Sequence, residues 1–502
     1  MKIDNCPALS AIGAFLAATT LTAVHAAGTI AYDDALTTSA PTYTSQKSGE
    51  APTAASEWVP NGALAQSREE LFSTPPDGKP PAEKPSASEP SLAKLASDRG
   101  FALSGFYDFE LAYTYPNTGH WSRAVNRFQL EAGGRIGGNK WKLGGRADID
   151  PVYYATDYYL DGVKKDQRLD FFWRENYIDF GAGDWAFRIG AQNIVWGEVV
   201  GLFVADVVSA RDQREFILPS FDIIRIPQGA VRAEYFKNDS HVELIWIPVP
   251  AFDNIGKPGS DFYPFPLGSP TSQAVANQFF DPDRPSSSLK NSNYGLRVNT
   301  LIDGWDLAAF YYRSSSAQPT FYQLPTQAGQ PPVFQPLYDR IWQAGGTLGK
   351  DFRSFVLKAE AVYTGPRNYA STQPTAPQGV LERETLDWII SADVPFQNDV
   401  RLNVQAFQRI YFGGSEDPLV IKAGDFGASV FLSAKIQKFE PQILYIQTFG
   451  GGGGLIRPRI DWRLMQNTRL GLGVDIFTGP NDGYFGRYDS RDRVYTELRH
   501  DF

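Results

Sequence analysis

The stretch FQLEAGGRIGGNKWKLGGRADI, residues 128–149, decides the fold. On either side of its Gly-Gly-Asn centre, residues 137–139, apolar or small side chains alternate with polar ones. Successive side chains of a β-strand point to opposite faces, and Gly and Asn are typical of tight hairpin turns. The stretch therefore predicts two antiparallel strands joined by a short turn, each with one face in an apolar environment.

The same alternation recurs along the chain from Phe101 onward. In residues 400–412, for example, Val400, Leu402 and Val404 share one face, and Arg401 and Asn403 lie on the other. Eight short turns rich in Gly, Asn and Asp alternate with longer segments. The nine longer segments are residues 116–122, 152–169, 197–229, 249–292, 314–338, 365–382, 413–424, 450–454 and 479–490. This pattern predicts an all-β fold: a transmembrane antiparallel β-barrel that occupies residues 101–502. It would have about 18 strands, with short turns at one end and long loops at the other.

Composition excludes several other classes of protein. The 502 residues are 42% hydrophobic, carry a net charge of −9 and contain one cysteine. A bundle of membrane-spanning helices needs runs of roughly 20 apolar residues, and one candidate run occurs, at the N-terminus. One cysteine cannot form a disulfide within the chain, and the acidic balance disfavours nucleic acid as a partner.

The first hundred residues are expected to be a processing signal and a tether. Residues 1–27 combine Lys2, an uncharged apolar run and small residues at 23–26, which predicts a secretory signal peptide. Cys6 would leave with this signal. Residues 28–100 are rich in Ala, Ser, Thr and Pro, which predicts a low-complexity, disordered periplasmic leader. The alternative is a small plug that enters the pore.

Aromatic residues support a membrane barrel. The last predicted strand, residues 494–502, alternates and ends on Phe502, which resembles the terminal assembly signal of outer-membrane barrels. Other aromatic residues recur near strand ends, as interfacial girdles require. These residues are Tyr113, Tyr115, Trp141, Trp185, Tyr235, Trp246, Trp305, Tyr363, Trp388 and Trp462.

The polar face of the strands, predicted to line the lumen, carries both signs of charge with basic residues in excess. A charged residue on the lipid face costs about 2–4 kcal/mol at the membrane midplane, so these side chains should face water or each other. One interpretation is a basic pore stripe that attracts anions; the alternative is a ladder of ion pairs that stiffens the wall. The candidate pore-lining residues are Arg127, Arg135, Arg146, Arg188, Arg401, Arg409, Arg457, Arg459 and Arg463.

The most informative loop is residues 195–227. It carries an apolar patch at 199–208, followed by charged residues, and a loop exposed only to solvent has no need of such a patch. We expect it to fold into the lumen and narrow it; the alternative is an external cap. Its candidate selectivity residues are Arg211, Arg214, Glu215 and Arg225. The Phe-rich loop 249–292 is a second candidate lid, or else a surface contact loop.

Several motifs resemble a known family. They are LDFFWRENYIDF at 169–180, RIGAQ at 188–192, VWGE at 195–198, REF at 214–216 and RIP at 225–227. Together they are similar to proteobacterial outer-membrane porin-like proteins of largely unknown function, most densely over residues 100–250. The likeness to alginate-export barrels is looser. The resemblance implies a barrel and no settled substrate.

These patterns predict an outer-membrane channel for small or polymeric solutes, mildly favouring anions. The expected partners are outer-membrane lipid, the barrel-assembly machinery, an unidentified solute and, optionally, a second copy of the chain. No catalytic motif, metal site or cofactor site is recognised, so no enzyme activity is expected. The alternatives are a transporter of hydrophobic compounds and a barrel for adhesion or assembly.

Overall fold

The computed structural model describes residues 101–265, 272–327, 329–371, 373, 375–413 and 426–502. The predicted signal peptide with Cys6 and the predicted leader lie outside these residues. In chain order the strands are β1 (Phe101–Thr114), β2 (His120–Ile136), β3 (Asn139–Ile149), β4 (Leu169–Trp173), β5 (Asn176–Ala182), β6 (Trp185–Gln192), β7 (Ala210–Arg211), β8 (Arg225–Ile226), β9 (Gln228–Lys237), β10 (Ser240–Ile247), β11 (Asn293–Ile302), β12 (Trp305–Ser315), β13 (Thr320–Leu324), β14 (Val333–Leu337), β15 (Arg340–Asp351), β16 (Val356–Ala370), β17 (Val380–Pro395), β18 (Val400–Phe412), β19 (Gly427–Ala434), β20 (Phe439–Thr448), β21 (Gly453–Met465), β22 (Thr468–Thr478) and β23 (Arg493–Asp501).

Nineteen of these strands form one antiparallel sheet, which closes because β1 pairs with both β2 and β23. The strands β4 and β5 lie one after the other along β3, separated by Arg174 and Glu175, so the wall is eighteen strands round. A closed sheet leaves no unpaired edge. The all-β fold and the count of about 18 strands predicted from the sequence are confirmed.

The two ends of the barrel differ in their connections. At one end, which we call the turn end, short turns join consecutive strands, as at Gly137 and Gly138, whose φ values of 57° and 90° suit glycine. At the other end, the loop end, the connections are long. Four short helices lie in these loops, namely α1 (Val152–Ala155), α2 (Asp161–Gln167), α3 (Phe221–Ile224) and α4 (Gln273–Ala276). Among the described residues, no helix is long and apolar enough to cross a membrane.

The long loops contain regular structure that the sequence did not predict: α3 and the β7–β8 pair lie in segment 197–229, α4 lies in segment 249–292, and two further loops are more ordered still. Within 152–169, α1 and α2 bury Val152, Tyr153 and Val163 in a small apolar cluster. Within 314–338, β13 and β14 pair as a separate hairpin. From the sequence, segments 152–169 and 314–338 are both predicted only as loops, because they lack a long alternating run.

The strands alternate between an apolar outer face and a polar inner face. On β1, Tyr107 is 37% exposed on the outside, whereas the neighbouring Asp108 is fully buried inside. Some of the aromatic residues predicted as girdles lie near the two ends: Trp185 packs against Tyr235 at the turn end, with ring centroids 5.0 Å apart, and Trp246 lies at the loop end. Tyr363 and Trp388 instead lie near the middle of β16 and β17. The outer surface therefore carries exposed apolar residues along the strands.

Candidate functional site

The connection between β6 and β9, residues 193–227, crosses the inside of the barrel, and we call it the inward loop. Early in the loop, the backbone N–H groups of Val199 and Ala205 donate to the Glu360 carboxylate on β16, at 2.7 and 2.8 Å. Later, the Glu215 carboxylate accepts a 3.0 Å hydrogen bond from Arg127 on β2. These two wall strands, β2 and β16, are nine strand-to-strand steps apart, which is half of the circumference. The strands between them are β3, β5, β6, β9, β10, β11, β12 and β15. The loop is thus held at opposite sides of the wall.

The first anchor lies on β16 and β18. Glu360 is 3% exposed, and its carboxylate also accepts from the backbone N–H of Glu198. On β18, the Gln405 amide donates to the Val200 carbonyl at 2.6 Å, and the Ser429 hydroxyl donates to Gln405 at 2.9 Å. The loop backbone is therefore fixed by side chains of the wall, which satisfy polar groups that would otherwise be buried without partners.

The second anchor is an ion cluster around Glu215. Its carboxylate, 5% exposed, is contacted by the guanidinium groups of Arg123 and Arg127 on β2 and Arg493 on β23. Burial alone would raise the pKa of Glu215, but these three cations outweigh it and lower that pKa to about 2. Glu215 is therefore ionised at neutral pH and holds the loop against β2 and β23.

The tip of the inward loop reaches deep into the barrel. The Asp222 carboxylate on α3 lies 3.0 Å from a guanidinium nitrogen of Arg499, which is close to the turn end of β23. Arg174, at the interruption between β4 and β5, donates to the backbone carbonyls of Asp222 and Arg225. Arg146 on β3 donates to the Ile223 carbonyl at 3.0 Å. Carbonyls at the end of a short helix are thus met by arginines of the wall.

Between the loop tip and the turn end lies a cavity of about 780 Å³. The loop contributes its upper boundary, with Leu218, Pro219, Ser220, Asp222 and Ile223. The wall from β18 to β23, with its turns, contributes most of the rest. Among the residues that the structure describes, ten cationic and seven anionic side chains line the cavity, so this part of the lining has an excess of positive charge although the chain as a whole is acidic. The cationic residues are Arg127, Arg401, Lys435, Lys438, Arg457, Arg459, Arg463, Arg469, Arg493 and Arg499.

Above this cavity, toward the loop end, the inward loop packs into an aromatic cluster. Phe216 contacts Phe485 and Tyr488 of the connection between β22 and β23, with ring centroids 5.9 and 4.9 Å apart. Phe262, from the Phe-rich loop after β10, packs on Phe477 of β22 at 5.8 Å. The inward loop and the Phe-rich loop therefore form a continuous apolar layer over this part of the cavity.

The structure distributes the predicted pore-lining arginines over several environments. Arg127, 1% exposed, is enclosed by Asp108, Glu110, Asp148 and Glu215. Arg135 is exposed at the turn end of β2. Arg146 and Asp148 form an ion pair at 2.9 Å, Arg188 and Asp179 one at 2.7 Å, and Arg409 and Asp387 one at 2.6 Å. Arg127, Arg401, Arg457, Arg459 and Arg463 line the cavity.

The charged residues predicted to set selectivity in the inward loop make contacts mainly with the loop itself and its anchors. Arg211 and Arg225 both approach Asp206, at 4.0 and 3.3 Å. Arg214 pairs with Asp212 at 2.7 Å and with Asp170 of β4. None of Arg211, Arg214, Glu215 and Arg225 belongs to the cavity lining. Their role in selectivity stays a prediction, whereas their contacts stabilise the folded loop.

Other lining residues are not among the candidate site residues predicted from the sequence, although Arg469 belongs to the strand face predicted to line the lumen. Arg469, Arg493 and Arg499, on β22 and β23, and Asp222, on the loop, line the cavity. The alternation of apolar and polar residues along β22 and β23 places these three arginines on the polar face, so the sequence does contain a signal for their position. The sequence does not reveal which neighbouring strand each one faces, and the contact of Asp222 depends on the path of the loop.

At the loop end, a polar cluster joins several loops. Asp261 of the Phe-rich loop lies 3.2 Å from the imidazole of His120 on β2 and 3.1 Å from Arg491 after β22. The Tyr159 hydroxyl donates to the same carboxylate at 2.6 Å. Burial would raise the pKa of Asp261, but the hydrogen bond from His120 and the charge of Arg491 lower it. The carboxylate thus ties three loops to the rim of β2.

Metal-ligating side chains of the described residues come together in one group, Glu234, His241 and Glu243 on the inner face of β9 and β10. Arg232 lies between the two carboxylates, 2.8 Å from Glu234 and 2.9 Å from Glu243. Because this guanidinium already supplies the positive charge that the two opposed carboxylates need, the group is an ion cluster of the wall.

Three solved structures are similar to the barrel at low sequence identity. They are OmpF of Salmonella typhi in complex with daunomycin (11% identity, TM-score 0.41, 81% of this chain and 99% of that one), OmpT of Vibrio cholerae (10%, 0.39, 80% and 99%) and a porin of Rh. blastica (11%, 0.34, 80% and 100%). No curated protein matches the sequence.

The family described as Protein of unknown function (DUF1302) matches residues 100–415. The match covers β1 to β18 and includes the inward loop with its motifs. It extends well beyond residues 100–250, where the resemblance was densest in the sequence. The chain therefore belongs to the DUF1302 family of unknown function.

Proposed function

We propose that this protein is an outer-membrane channel that passes small anionic solutes through a lumen narrowed by the inward loop. The observation that carries the proposal is the inward loop itself. It is anchored to opposite sides of the wall at Glu360 and Arg127, above a 780 Å³ cavity with an excess of cationic side chains. A loop held across the lumen in this way suits a constriction.

The outer surface supports a location in a bilayer. Charged residues face inward, and the outer face carries exposed apolar side chains such as Phe128, Leu143 and Leu296. Aromatic residues flank this band at both ends, as in barrels that sit between two membrane interfaces. In water, so large an apolar surface would drive aggregation.

The mechanism is diffusion past charged and polar groups of the lumen. Arginine side chains such as Arg457 and Arg459 replace part of the hydration of an anion, and their carboxylate partners Asp475 and Glu497 keep the attraction weak enough for release. The positive excess raises the local concentration of anions. The inward loop sets the width of the path.

The test is reconstitution of the full chain in a planar bilayer with a salt gradient. We expect ion conductance and a reversal potential that favours anions. Arg457→Glu and Arg459→Glu should each move the reversal potential toward cations, and a deletion of residues 197–226 should raise the conductance. A silent bilayer with correctly folded protein would overturn the channel. Unchanged selectivity in both arginine variants would overturn the role of these arginines.

A further inference from the structure

Three cationic residues lie together at the turn end of the cavity. Lys435 and Lys438 belong to the turn between β19 and β20, which is closed by backbone hydrogen bonds between Ile436 and Phe439. Arg463, near the end of β21, donates its backbone N–H to the Lys438 carbonyl at 2.8 Å. Lys435, Lys438 and Arg463 all line the cavity, and we call them the basic turn cluster.

The wall supplies no carboxylate partner to the basic turn cluster. Asp461, two residues before Arg463 on the same face of β21, pairs instead with Arg459 at 2.6 Å. Asp399 and Glu440 also line the cavity, yet within the described part of the chain no carboxylate lies at ion-pair distance from the three cationic side chains. An ammonium group has three N–H donors and a guanidinium group has five. The cluster therefore presents positive charge and hydrogen-bond donors that the carboxylates of the wall do not occupy.

Arginines deeper in the same cavity are in a different situation. Arg457, six residues before Arg463 on β21 and hence about 20 Å away at the usual rise per residue, pairs with Asp475 at 2.6 Å. Arg493 on β23 pairs with the same carboxylate at 2.8 Å. An anion that binds to these two arginines must compete with Asp475, whereas an anion that binds to the basic turn cluster displaces no carboxylate. Binding is therefore less costly at the turn end.

The number of cations in the basic turn cluster favours a ligand with more than one negative charge. A single carboxylate needs only Arg463, whose planar guanidinium group can donate paired hydrogen bonds to its two oxygens. Lys435 and Lys438 add compact charges on flexible stems, which can adapt to further anionic groups of the same ligand. An anion with two or three charges therefore gains contacts that a monovalent anion lacks.

We propose that the basic turn cluster is a binding site for small multivalent oxyanions, that is, polycarboxylates or phosphates. One anionic group binds to Arg463, and another binds to the two lysines of the turn. The site lies at the end of the cavity that is farther from the inward loop. The inference deepens the proposed channel, on which it rests, by naming the class of solute that binds in its lumen.

The test uses isothermal titration calorimetry on the purified full chain in a nonionic detergent and a Tris buffer of low ionic strength, with citrate, pyrophosphate and acetate as probes. We expect citrate or pyrophosphate to bind about tenfold or more tightly than acetate, because a second hydrogen-bonded charge contact adds at least that factor. Citrate alone would assign the site to polycarboxylates, and pyrophosphate alone would assign it to phosphates; either result supports the proposal. The double variant Lys435→Gln/Lys438→Gln should lose the advantage over acetate, and Arg463→Gln should weaken all three probes.

Lys140→Gln/Lys237→Gln is the matched control. Lys140 on β3 and Lys237 on β9 are exposed at the turn end and are not part of the cavity lining. This variant removes the same two charges and should bind the multivalent probes like the parent protein. The shift in gel mobility on heating checks that each variant is a folded barrel.

Two results would overturn the proposal. One is equal affinity for all three probes. The other is an equal loss of binding in the two double-lysine variants, because overall charge would then account for the affinity. Binding of citrate or pyrophosphate by a folded protein that conducts no ions would overturn the channel and leave this site standing; conductance without binding of either anion would do the reverse.

Discussion

The side chain of Gln405 on β18 donates a 2.6 Å hydrogen bond to the backbone carbonyl of Val200, where the inward loop meets the wall. The space between them is small: Val200, Gly201 and Leu202 face Gln405 across a gap of about 10 Å³. Gln405 thus joins the loop to the wall beside the Glu360 anchor.

Removal of the Gln405 side chain should widen the gap between the inward loop and the wall. We expect Gln405→Ala to increase single-channel conductance, because the loop loses one contact worth about 0.5–1.5 kcal/mol and the gap widens. Gln408→Ala is the control, since Gln408 belongs to the outer face of the same strand, where it accepts from Trp388. Equal conductance in the two variants would mean that ions do not pass along this gap.

Glu360 is expected to be the stronger anchor of the inward loop. In Glu360→Gln, the amide NH₂ replaces a carboxylate oxygen that accepts from the backbone, so a buried N–H group of the loop loses its acceptor, at a cost of about 1–3 kcal/mol. We predict faster proteolysis within the inward loop and a larger, noisier conductance. Glu382→Gln, at an exposed site on β17, should change neither measurement. A variant that resists protease like the parent protein would show that other contacts hold the loop.

The Glu215 cluster predicts a specific dependence of stability on pH. The ordinary pKa of a glutamate is 4.5, and the pKa of Glu215 in the folded protein is about 2. A lowered pKa means that the carboxylate stabilises the folded state above about pH 4.5 and that this contribution is lost as pH falls toward 2. The thermal unfolding midpoint should therefore drop across this window.

The comparison variant is Glu215→Gln, which removes the titrating group. It leaves three arginines without their shared carboxylate, so it should be less stable at pH 7 by about 3–5 kcal/mol. Its stability should also fall less steeply between pH 4.5 and 2. Parallel pH profiles for the two proteins would show that other carboxylates dominate acid unfolding.

Phe502 is expected to matter for barrel closure. Its backbone exchanges hydrogen bonds with Gly105 at 2.9 and 3.0 Å, and its ring stacks on Phe128 with centroids 5.8 Å apart. An added Cβ at Gly105 would clash with the backbone carbonyl oxygen of Gln129 and would lie 2.9 Å from the Phe502 ring, so this position needs glycine. We predict that Phe502→Ala and Gly105→Leu both lower the yield of heat-modifiable, folded barrel, whereas Phe502→Tyr preserves it. If Phe502→Ala and Gly105→Leu both gave normal yields of folded barrel, strand pairing alone would account for barrel closure.

The fold was predictable because alternation is a local property of the sequence. Residues 128–149 show both strands and their turn within 22 letters, and the same pattern supplies the rest of the wall. The inward course of the loop was also predicted, from apolar residues such as Val199 and Leu202 that a solvent-exposed loop has no reason to carry.

The arrangement within the cavity was not predictable in the same way. Arg463, Arg469 and Arg499 become neighbours only through the register of β21, β22 and β23, and a shift of one residue in any pairing would turn side chains to the opposite face. Likewise, the contact between Asp222 and Arg499 joins positions 277 residues apart. Such relations depend on the path of the backbone in three dimensions.

The anchors of the inward loop also link the loop to the strand that closes the barrel. Glu215 binds arginines on β2 and β23, and Asp222 binds Arg499 of β23, so the loop needs the strand that closes the wall. Until β23 has joined β1, the loop lacks half of its attachment on that side. The seating of the loop is thus coupled to closure of the barrel, because its contacts with Arg493 and Arg499 require β23 to lie beside β1.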